Sequence, residues 1–418
     1  MKILKLEING YRSFRSQTWS PGDLNVLIGP NASGKTNLLR ALETLCAAAS
    51  GSLGRYVQQE GGMEPIVWDG RADGVQMSAK MTPLPPYSDP DTDALTYKID
   101  LKRLGSSSAY RIDYEVLGNF YKVETGAMQE PFKLLERDPR HAVVFSMNLQ
   151  RFQSVRTTTT TTTPYPTDVQ PIQASDAALP EEESLLSFAA GPFAANRFVA
   201  EFQGELTNWR IHQGFYTHRD APIRSPQVTR AESQVSADGQ NLISVLHSLY
   251  MGSREFKREL NEAMRAAFGE DFDELVFPPA ADQRIQLRIR WKSLQREQSA
   301  ADLSDGTLRF LLLIAVLANP DPPPLIAIDE PETGLHPSML PIIAEYARDA
   351  SLRCQVILTT HSPELLDAFG DNAPTTTVVE RRDGESVLRT IAGSDLAYWL
   401  RQYSLGDLYR SRELEAMS

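Results

Sequence analysis

Cysteine is nearly absent from these 418 residues: Cys46 and Cys354 are the only two. Neither belongs to a C-x-x-C pair, which excludes a disulfide framework and a cysteine-built zinc site. Both thiols are expected to be small buried hydrophobes. Apolar runs long enough to span a bilayer are missing too. The opening Met1-Lys2-Ile3-Leu4-Lys5-Leu6-Glu7-Ile8 alternates from Leu4 onward, as a strand does, and lacks the unbroken apolar core of an export signal. No membrane partner and a cytoplasmic location are therefore expected. Positive charge is in deficit, with 42 Lys and Arg against 54 Asp and Glu and a formal net charge of −12. That speaks against non-specific coating of nucleic acid, which needs a broad basic surface, but leaves room for a local basic strip. Heptads are not sustained over several turns, so no long coiled-coil arm is expected.

What is present is an ordinary globular composition, 41% apolar and 23% charged, in a length that suits one large domain or about two to three smaller ones. Residues 2 to 19 read as a strand pair that can turn at Asn9-Gly10. Residues 75 to 125 read as a β-meander, in which 95–101 and 110–116 alternate. From Arg156 to about Pro180 the composition collapses into threonines, then prolines, and cannot bury a core; an exposed, mobile loop is expected. Residues 181 to 275 carry mainly helical spacing. Ile285 to Trp291 alternates like a strand, and Thr376 to Ile391 reads as a hairpin turned at Asp383-Gly384. The expected blocks are 1–135, a mainly helical insertion at 136–283, and 284–418.

Four stretches ask for one ligand. Gly29, Pro30, Asn31, Ala32, Ser33, Gly34, Lys35 and Thr36 fit G-x-x-x-x-G-K-[ST], between a short buried strand (23–28) and a helical run (35–49), which is the context such a loop requires. Glycines let backbone amides wrap phosphate oxygens, and the helix points its positive end at them. Lys35 would reach the β- and γ-phosphates and Thr36 would ligate Mg²⁺; Asn37 completes the nucleotide-binding stretch. The apolar strand Leu325 to Ile328 ends in Asp329 and Glu330. Asp329 would hold Mg²⁺ and Glu330 would orient or deprotonate water, although an acidic pair before Pro331 also suits a helix start. Leu303-Ser304-Asp305-Gly306-Thr307 opens an apolar helix; Ser304 is a good cap and Gly306 leaves amides accessible, so an anion site and a plain helix cap are both open. Val356 to Thr360 is an apolar strand ending in His361, which could contact the γ-phosphate or position the water.

Taken in order, phosphate loop, Leu-Ser-Asp-Gly-Thr, Ile-Asp-Glu-Pro-Glu, Gly-Leu-His-Pro and Thr-Thr-His-Ser-Pro-Glu-Leu-Leu, these segments resemble the ABC-type ATPase heads of the RecF and SMC group. They look most like the bacterial RecF-like predicted ATPases grouped with the ATPase domain of OLD-family proteins. The resemblance covers Met1 to about Asp367. It implies an α/β P-loop NTPase fold of ABC/RecF type, with a mixed central sheet, an antiparallel β-subdomain and an inserted helical lobe. It implies ATP and Mg²⁺ as ligands, ATP hydrolysis with Glu330, His361 and Lys35 as catalytic groups, and a homodimer that sandwiches ATP. Ser304 and Gly306 would then read the γ-phosphate held by the opposite subunit, and Thr333 to His336 would cross the interface. Two departures stand out: Asp305 where transporter ATPases usually have glycine, and His336 where many relatives have aspartate. Arg12 resembles a position near the nucleotide in relatives. The glutamine loop has only Gln150 and Gln153 as candidates.

Three functional readings compete. One is a DNA-linked switch in repair or in defence against foreign DNA, with His218, Arg219, Arg224 and Arg230, and Arg284, Arg288, Arg290, Lys292 and Arg296, as basic clusters. Another is a nucleotide-gated sensor controlling a separate effector protein. The last is a transporter ATPase, disfavoured by the long interval between the phosphate loop and Asp329.

Overall fold

In a computed structural model of the chain, the residues described are 1–84, 93–105, 108–121, 132–145, 171–173, 179–190, 196–228, 230–280, 284–370, 372–391 and 403–416. The chain opens with β1 (Ile3–Tyr11), β2 (Phe14–Trp19) and β3 (Leu24–Ile28), followed by the Lys35–Ser50 and Leu53–Gln59 helices. Strands β4 (Gly74–Met81), β5 (Asp93–Arg103), β6 (Tyr110–Tyr121), β7 (Phe132–Arg137), β8 (Ala142–Phe145) and β9 (Pro171–Gln173) follow. After the Leu185–Ala189 and Arg197–Thr207 helices come β10 (Arg210–His212), the Leu242–Gly252 and Arg254–Phe268 helices, β11 (Phe272–Val276), β12 (Arg288–Trp291) and β13 (Gln298–Ser299). The Asp305–Leu317 helix, β14 (Leu325–Ile328), the Leu340–Ser351 helix, β15 (Gln355–Thr359), the Pro363–Asp367 helix, β16 (Thr375–Arg382), β17 (Glu385–Thr390) and the Leu405–Arg410 helix complete it.

These elements form two compact units. The first comprises Met1–Pro21, Arg40–Trp209 and Glu380–Leu388; the second comprises Gly22–Leu39, Arg210–Val379 and Arg389–Ser418. The blocks expected from the sequence, 1–135, 136–283 and 284–418, are consecutive, whereas each compact unit gathers separated segments. Sheet pairing draws together strands distant in sequence, which composition along the chain does not reveal.

In the first unit, eight strands run in the order β2-β1-β4-β5-β6-β7-β8-β9, with antiparallel pairing throughout. The alternation at 95–101 and 110–116 thus lies in β5 and β6, as expected. The turn between β1 and β2 falls at Arg12-Ser13, not at Asn9-Gly10: Tyr11 pairs with Phe14, and Arg12 takes φ +49°. Both Tyr11 and Phe14 are fully buried, and this pulls the turn outward past Gly10. The expected Thr/Pro loop at 156–180 falls mostly outside the described residues, as do Gln150 and Gln153. Where it is described, Pro171–Gln173 is an edge strand on β8, and edge position is where proline is tolerated in a sheet.

A carboxylate is the polar centre of this unit. Glu115, fully buried, accepts from Tyr97 Oη at 2.9 Å, from Ser184 Oγ at 2.7 Å, and from the amides of Leu185 at 2.7 Å and Leu186 at 3.0 Å. It therefore caps the short Leu185–Ala189 helix from β6.

The second unit is built on parallel strands in the order β10-β14-β15-β3, followed by the start of β16, which is parallel to β3. Leu24–Ile28, Leu325–Ile328 and Gln355–Thr359 are buried at every position. Strands covered on both faces read as continuous apolar runs, which is why the sequence shows them without alternation. A β-hairpin turns at Asp383-Gly384, both with positive φ, as expected. The second unit also contains a small antiparallel sheet, β11-β12-β13. One apolar cluster joins the strands to the Asp305–Leu317 helix, ten of whose thirteen residues are buried. Cys354 is buried as expected, whereas Cys46 is only half-buried; neither is in a disulfide. Among the described residues no helix is long and apolar enough to cross a membrane.

Replacing Glu115 by alanine would leave two hydroxyls and two amides without their buried acceptor. We expect a loss of about 3 kcal/mol or more of stability, read from denaturant unfolding, with Glu115→Gln losing clearly less.

Candidate functional site

Four parallel strands end within two residues of one another. His212 pairs with Ile328, Ile328 with Leu358, and Leu358 with Val26. The residues that follow, Gln213, Asp329, Thr360 and Gly29, therefore leave the sheet along one edge. Ligands of open parallel sheets bind beyond such carboxyl ends.

At the β3 end, the loop Gly29 to Gly34 turns through positive φ at Gly29 (+146°), Ala32 (+62°) and Gly34 (+114°). A Cβ at Gly29 would sit 2.1 Å from the carbonyl oxygen of Val379 on β16, so no other residue fits. Pro30, Asn31 and Ala32 form the exposed tip, and Ser33 is buried beneath it. Ser33 N donates to Pro30 O at 3.2 Å, and the amides of Asn37 and Leu38 donate to Gly34 O, which starts the Lys35–Ser50 helix. This succession of turned amides at a helix start is an anion cradle.

Lys35 Nζ lies within this loop, donating to the carbonyls of Gly29 (2.9 Å) and Pro30 (3.2 Å) and standing 2.7 Å from His361 Nε2. Burial pushes the ammonium down to about 8, against the opposing pull of Glu330, Asp329 and Glu332. Thr36 Oγ1 donates to Asp329 Oδ2 at 3.1 Å, while Thr359 Oγ1 donates to Asp329 Oδ1. Thr359 Oγ1 also accepts from Glu330 N at 3.0 Å. Two oxygen donors facing each other, Thr36 and Asp329, fit a hard cation such as Mg²⁺.

Glu330 takes φ +47°, a left-handed conformation rare for such a residue. Backbone of this kind collects at functional sites. Its carboxylate stands 3.5 Å from His361 Nε2 and accepts from Thr333 Oγ1 at 3.3 Å. His361 is lowered from its ordinary value, first by burial and then by the charge of Lys35. The phosphate loop, the Asp329-Glu330 pair and His361 are thus brought together. Glu332 is a residue that sequence reasoning passed over. Its Oε1 accepts from Thr360 Oγ1 at 2.6 Å and from His361 N at 3.0 Å, so it ties the β14 turn to the β15 turn. Burial raises its carboxyl pKa, opposed by those hydrogen bonds. A third carboxylate, three residues past Asp329, was its only sequence signal.

The helix start at Ser304 is exposed, and its hydroxyl accepts from Thr307 N at 3.1 Å. Gly306 is required by a close approach: a Cβ there would meet Gly334 O at 2.8 Å. Arg309, one turn further on, donates to Thr333 O at 3.2 Å. The Thr333–His336 loop is therefore packed on the serine-tipped helix. His336, standing where aspartate is common in relatives, caps the next turn through Nδ1, which accepts from Ser338 N at 3.3 Å.

Gln213 follows β10 and lines a cleft of about 180 Å³ with Asp329, Glu330, Phe215, Arg309 and Thr333. Neither Gln150 nor Gln153 is among the described residues; Gln213 occupies the strand end next to the carboxylates. The three-residue length of β10 hid it, since so short a strand has no period to detect. Arg12 lies in the first unit, where it pairs with Glu60 and stacks near Tyr11.

The basic clusters fare differently. His218, Arg219 and Arg230 are exposed. Arg224, however, is only 8% exposed and ion-paired with Asp305, so it is not a surface contact. Arg290 pairs with Glu274 and Glu297, Lys292 with Glu270, and Arg288 donates to Gln286. Neighbouring acids have claimed charges that a list of basic residues counts as available.

An α/β unit with a phosphate loop at one strand end and paired carboxylates two strands away has the fold of an ABC-type P-loop ATPase head. Solved structures agree on the fold: an Smc head bound to the C-terminal winged-helix domain of ScpA (12% identity, 95% of this chain, 100% of that one, TM-score 0.55) and an Smc head with an extended coiled coil, bound to the C-terminal domain of ScpA, derived from Pyrococcus furiosus (12% identity, 96% and 99%, TM-score 0.50). Residues 24–367 match the family described as "AAA domain, putative AbiEii toxin, Type IV TA system", and the chain belongs to it. It is also similar to the DNA replication and repair protein RecF of Chloroherpeton thalassium, 43% identical over 51 residues, which is 12% of this chain and 14% of that protein.

His212, behind the cleft, is fully buried, with Nδ1 3.2 Å from Ala237 O and its main-chain oxygen accepting from Asp329 N at 2.8 Å. Burial pushes its imidazole down to about 4. In the unfolded chain the same ring gains its proton near 6.5. Between these values the unfolded chain binds the extra proton, so stability is lost as pH falls through that window, by up to about 3 kcal/mol. Denaturant unfolding at stepped pH should show this loss, and His212→Asn should flatten it.

Proposed function

We propose that this protein binds and hydrolyses ATP, and that two copies close around the shared nucleotide as a conformational switch. The observation that carries the reading is the meeting of Thr36, Asp329, Glu330 and His361 at one sheet edge beside the buried Lys35. The amides of Gly29 to Thr36 would hold the phosphates, with Asn37 just behind them, and Lys35 would sit on the β- and γ-phosphates. Mg²⁺, held by Thr36 and Asp329, would neutralise charge on the phosphates. Glu330 would orient the attacking water and accept its proton as the bond from the γ-phosphorus to the β-bridging oxygen breaks, leaving ADP and phosphate. His361 and Gln213 would help place that water. Ser304, exposed at its helix start, and the half-buried Gly306 would read the γ-phosphate held by the second copy; this is the basis for proposing a homodimer. Because binding joins the copies and hydrolysis removes the bridge, the output is a change of assembly. Arg12 is retained as a proposed nucleotide-proximal residue from the family resemblance alone.

The biological setting we infer is cytoplasmic and linked to DNA, in repair or in defence. The RecF likeness and the toxin–antitoxin wording of the family description support it, and Arg219 and Arg230 offer exposed positive groups beside the exposed His218. A second reading, a nucleotide-gated sensor for an effector protein, is supported by the Smc heads of similar fold, which were solved bound to ScpA.

Glu330→Gln should keep ATP binding, stall hydrolysis by at least a hundredfold and accumulate a dimer; wild-type turnover would remove Glu330 as the base. Ser304→Arg should give a monomer that binds ATP and does not turn it over, and full activity there would reject the shared nucleotide. If DNA is the ligand, duplex DNA should raise ATP turnover at low salt and lose that effect as salt rises.

A further inference from the structure

Arg224 directs both terminal nitrogens of its guanidinium group at residues 300–305, where the chain leads into and starts the Asp305–Leu317 helix. Nε donates to Thr217 O at 2.8 Å. Nη1 donates to the carbonyls of Ala300 (3.2 Å), Ala301 (3.3 Å) and Leu303 (2.6 Å). Nη2 meets Asp305 Oδ1 at 2.5 Å. The arginine side chain is 8% exposed and the aspartate 60%. Asp305 is the residue that departs from the glycine usual in transporter ATPases, and it puts a carboxylate in the same first turn that Ser304 caps. A negative charge suits the first turn of a helix. It opposes any anion brought to that same turn, and an anion is what Ser304 is proposed to receive.

We propose that Arg224 is a positioning residue for recognition of the second copy's phosphate. It fixes the backbone ahead of Ser304 through three carbonyls, and it neutralises Asp305 so that a triphosphate can approach. Arginine suits both tasks because its planar fork serves several acceptors at once and stays charged. The segment that carries it leaves the sheet at Gln213, beside Glu330, so a single stretch of chain serves both the cleft and the serine-tipped helix. This inference rests on the shared-nucleotide reading above.

The test is ATP-dependent dimerisation of the full chain, measured by sedimentation in a Glu330→Gln background. Arg224→Gln should weaken the dimer at least tenfold, while a fluorescent ATP analogue binds the monomer as before. Adding Asp305→Asn to it should recover a large part of that loss, since the unpaired carboxylate is gone. Merely structural damage would not be repaired this way. Parent-like dimerisation of Arg224→Gln, or no recovery in the double variant, would overturn the proposal. Should Arg224→Gln not fold, Asp305→Asn alone decides: a dimer as tight as the parent's or tighter supports neutralisation, and a tenfold weaker one overturns it. Ser304→Arg separates the two ideas. If it leaves dimerisation untouched, the shared nucleotide fails; if it abolishes dimerisation while the Arg224 variants behave like the parent, only the role of Arg224 fails.

Discussion

The carboxylate of Asp329 is held from two sides, by Thr36 at the phosphate loop and by Thr359 on the neighbouring strand. That arrangement is possible only because β14, β15 and β3 run parallel and end within two residues of one another. A slip of one residue in any pairing would turn each side chain to the opposite face. It would carry Asp329 away from Thr36 and His361 away from Lys35. The register is protected by burial on both faces of all three strands, where each apolar side chain contributes about 1.5–3 kcal/mol. The chemistry at the sheet edge thus depends on packing within the sheet.

Charge is arranged around that edge with unequal cost. Lys35 is buried, and burial lowers its affinity for a proton, yet Glu330, Asp329 and Glu332 pull the other way. A cation kept among carboxylates is ready for an anionic ligand without a large desolvation cost at the moment of binding. Glu332 does different work. By accepting from Thr360 and His361 it fixes the backbone that carries the imidazole, so the positions of Glu330 and His361 are set by one another. The strained backbone at Glu330 fits this picture, since its amide is held by Thr359.

Arg224 shows how far a residue's role can lie from its apparent type. In the sequence it is one of several arginines between 219 and 230 that might face a polyanion. In the folded protein it is buried and bound to a loop some eighty positions further along. The pairing also makes sense of Asp305, which looks misplaced in a phosphate-reading turn until its partner is seen. Arg290, Lys292 and Arg288 are likewise answered by Glu274, Glu297, Glu270 and Gln286.

Local chemistry by itself determined a great deal here. The phosphate loop, the acidic strand end, the serine cap and the histidine strand end each need only a few adjacent residues, and each carries its signal within that span. Buried parallel strands announce themselves as short apolar runs, and the hairpin at Asp383-Gly384 is written in two residues that accept positive φ. What only the tertiary structure decided was which groups meet. Gln213 follows a strand of three residues, too short for any period. Glu332 acts through contacts some thirty positions away, and Arg224 meets Asp305 across 81 positions of sequence. The division into two units, each assembled from separated segments, follows from the same cause: sheet pairing and buried charge are satisfied in three dimensions, and distance along the chain does not limit them.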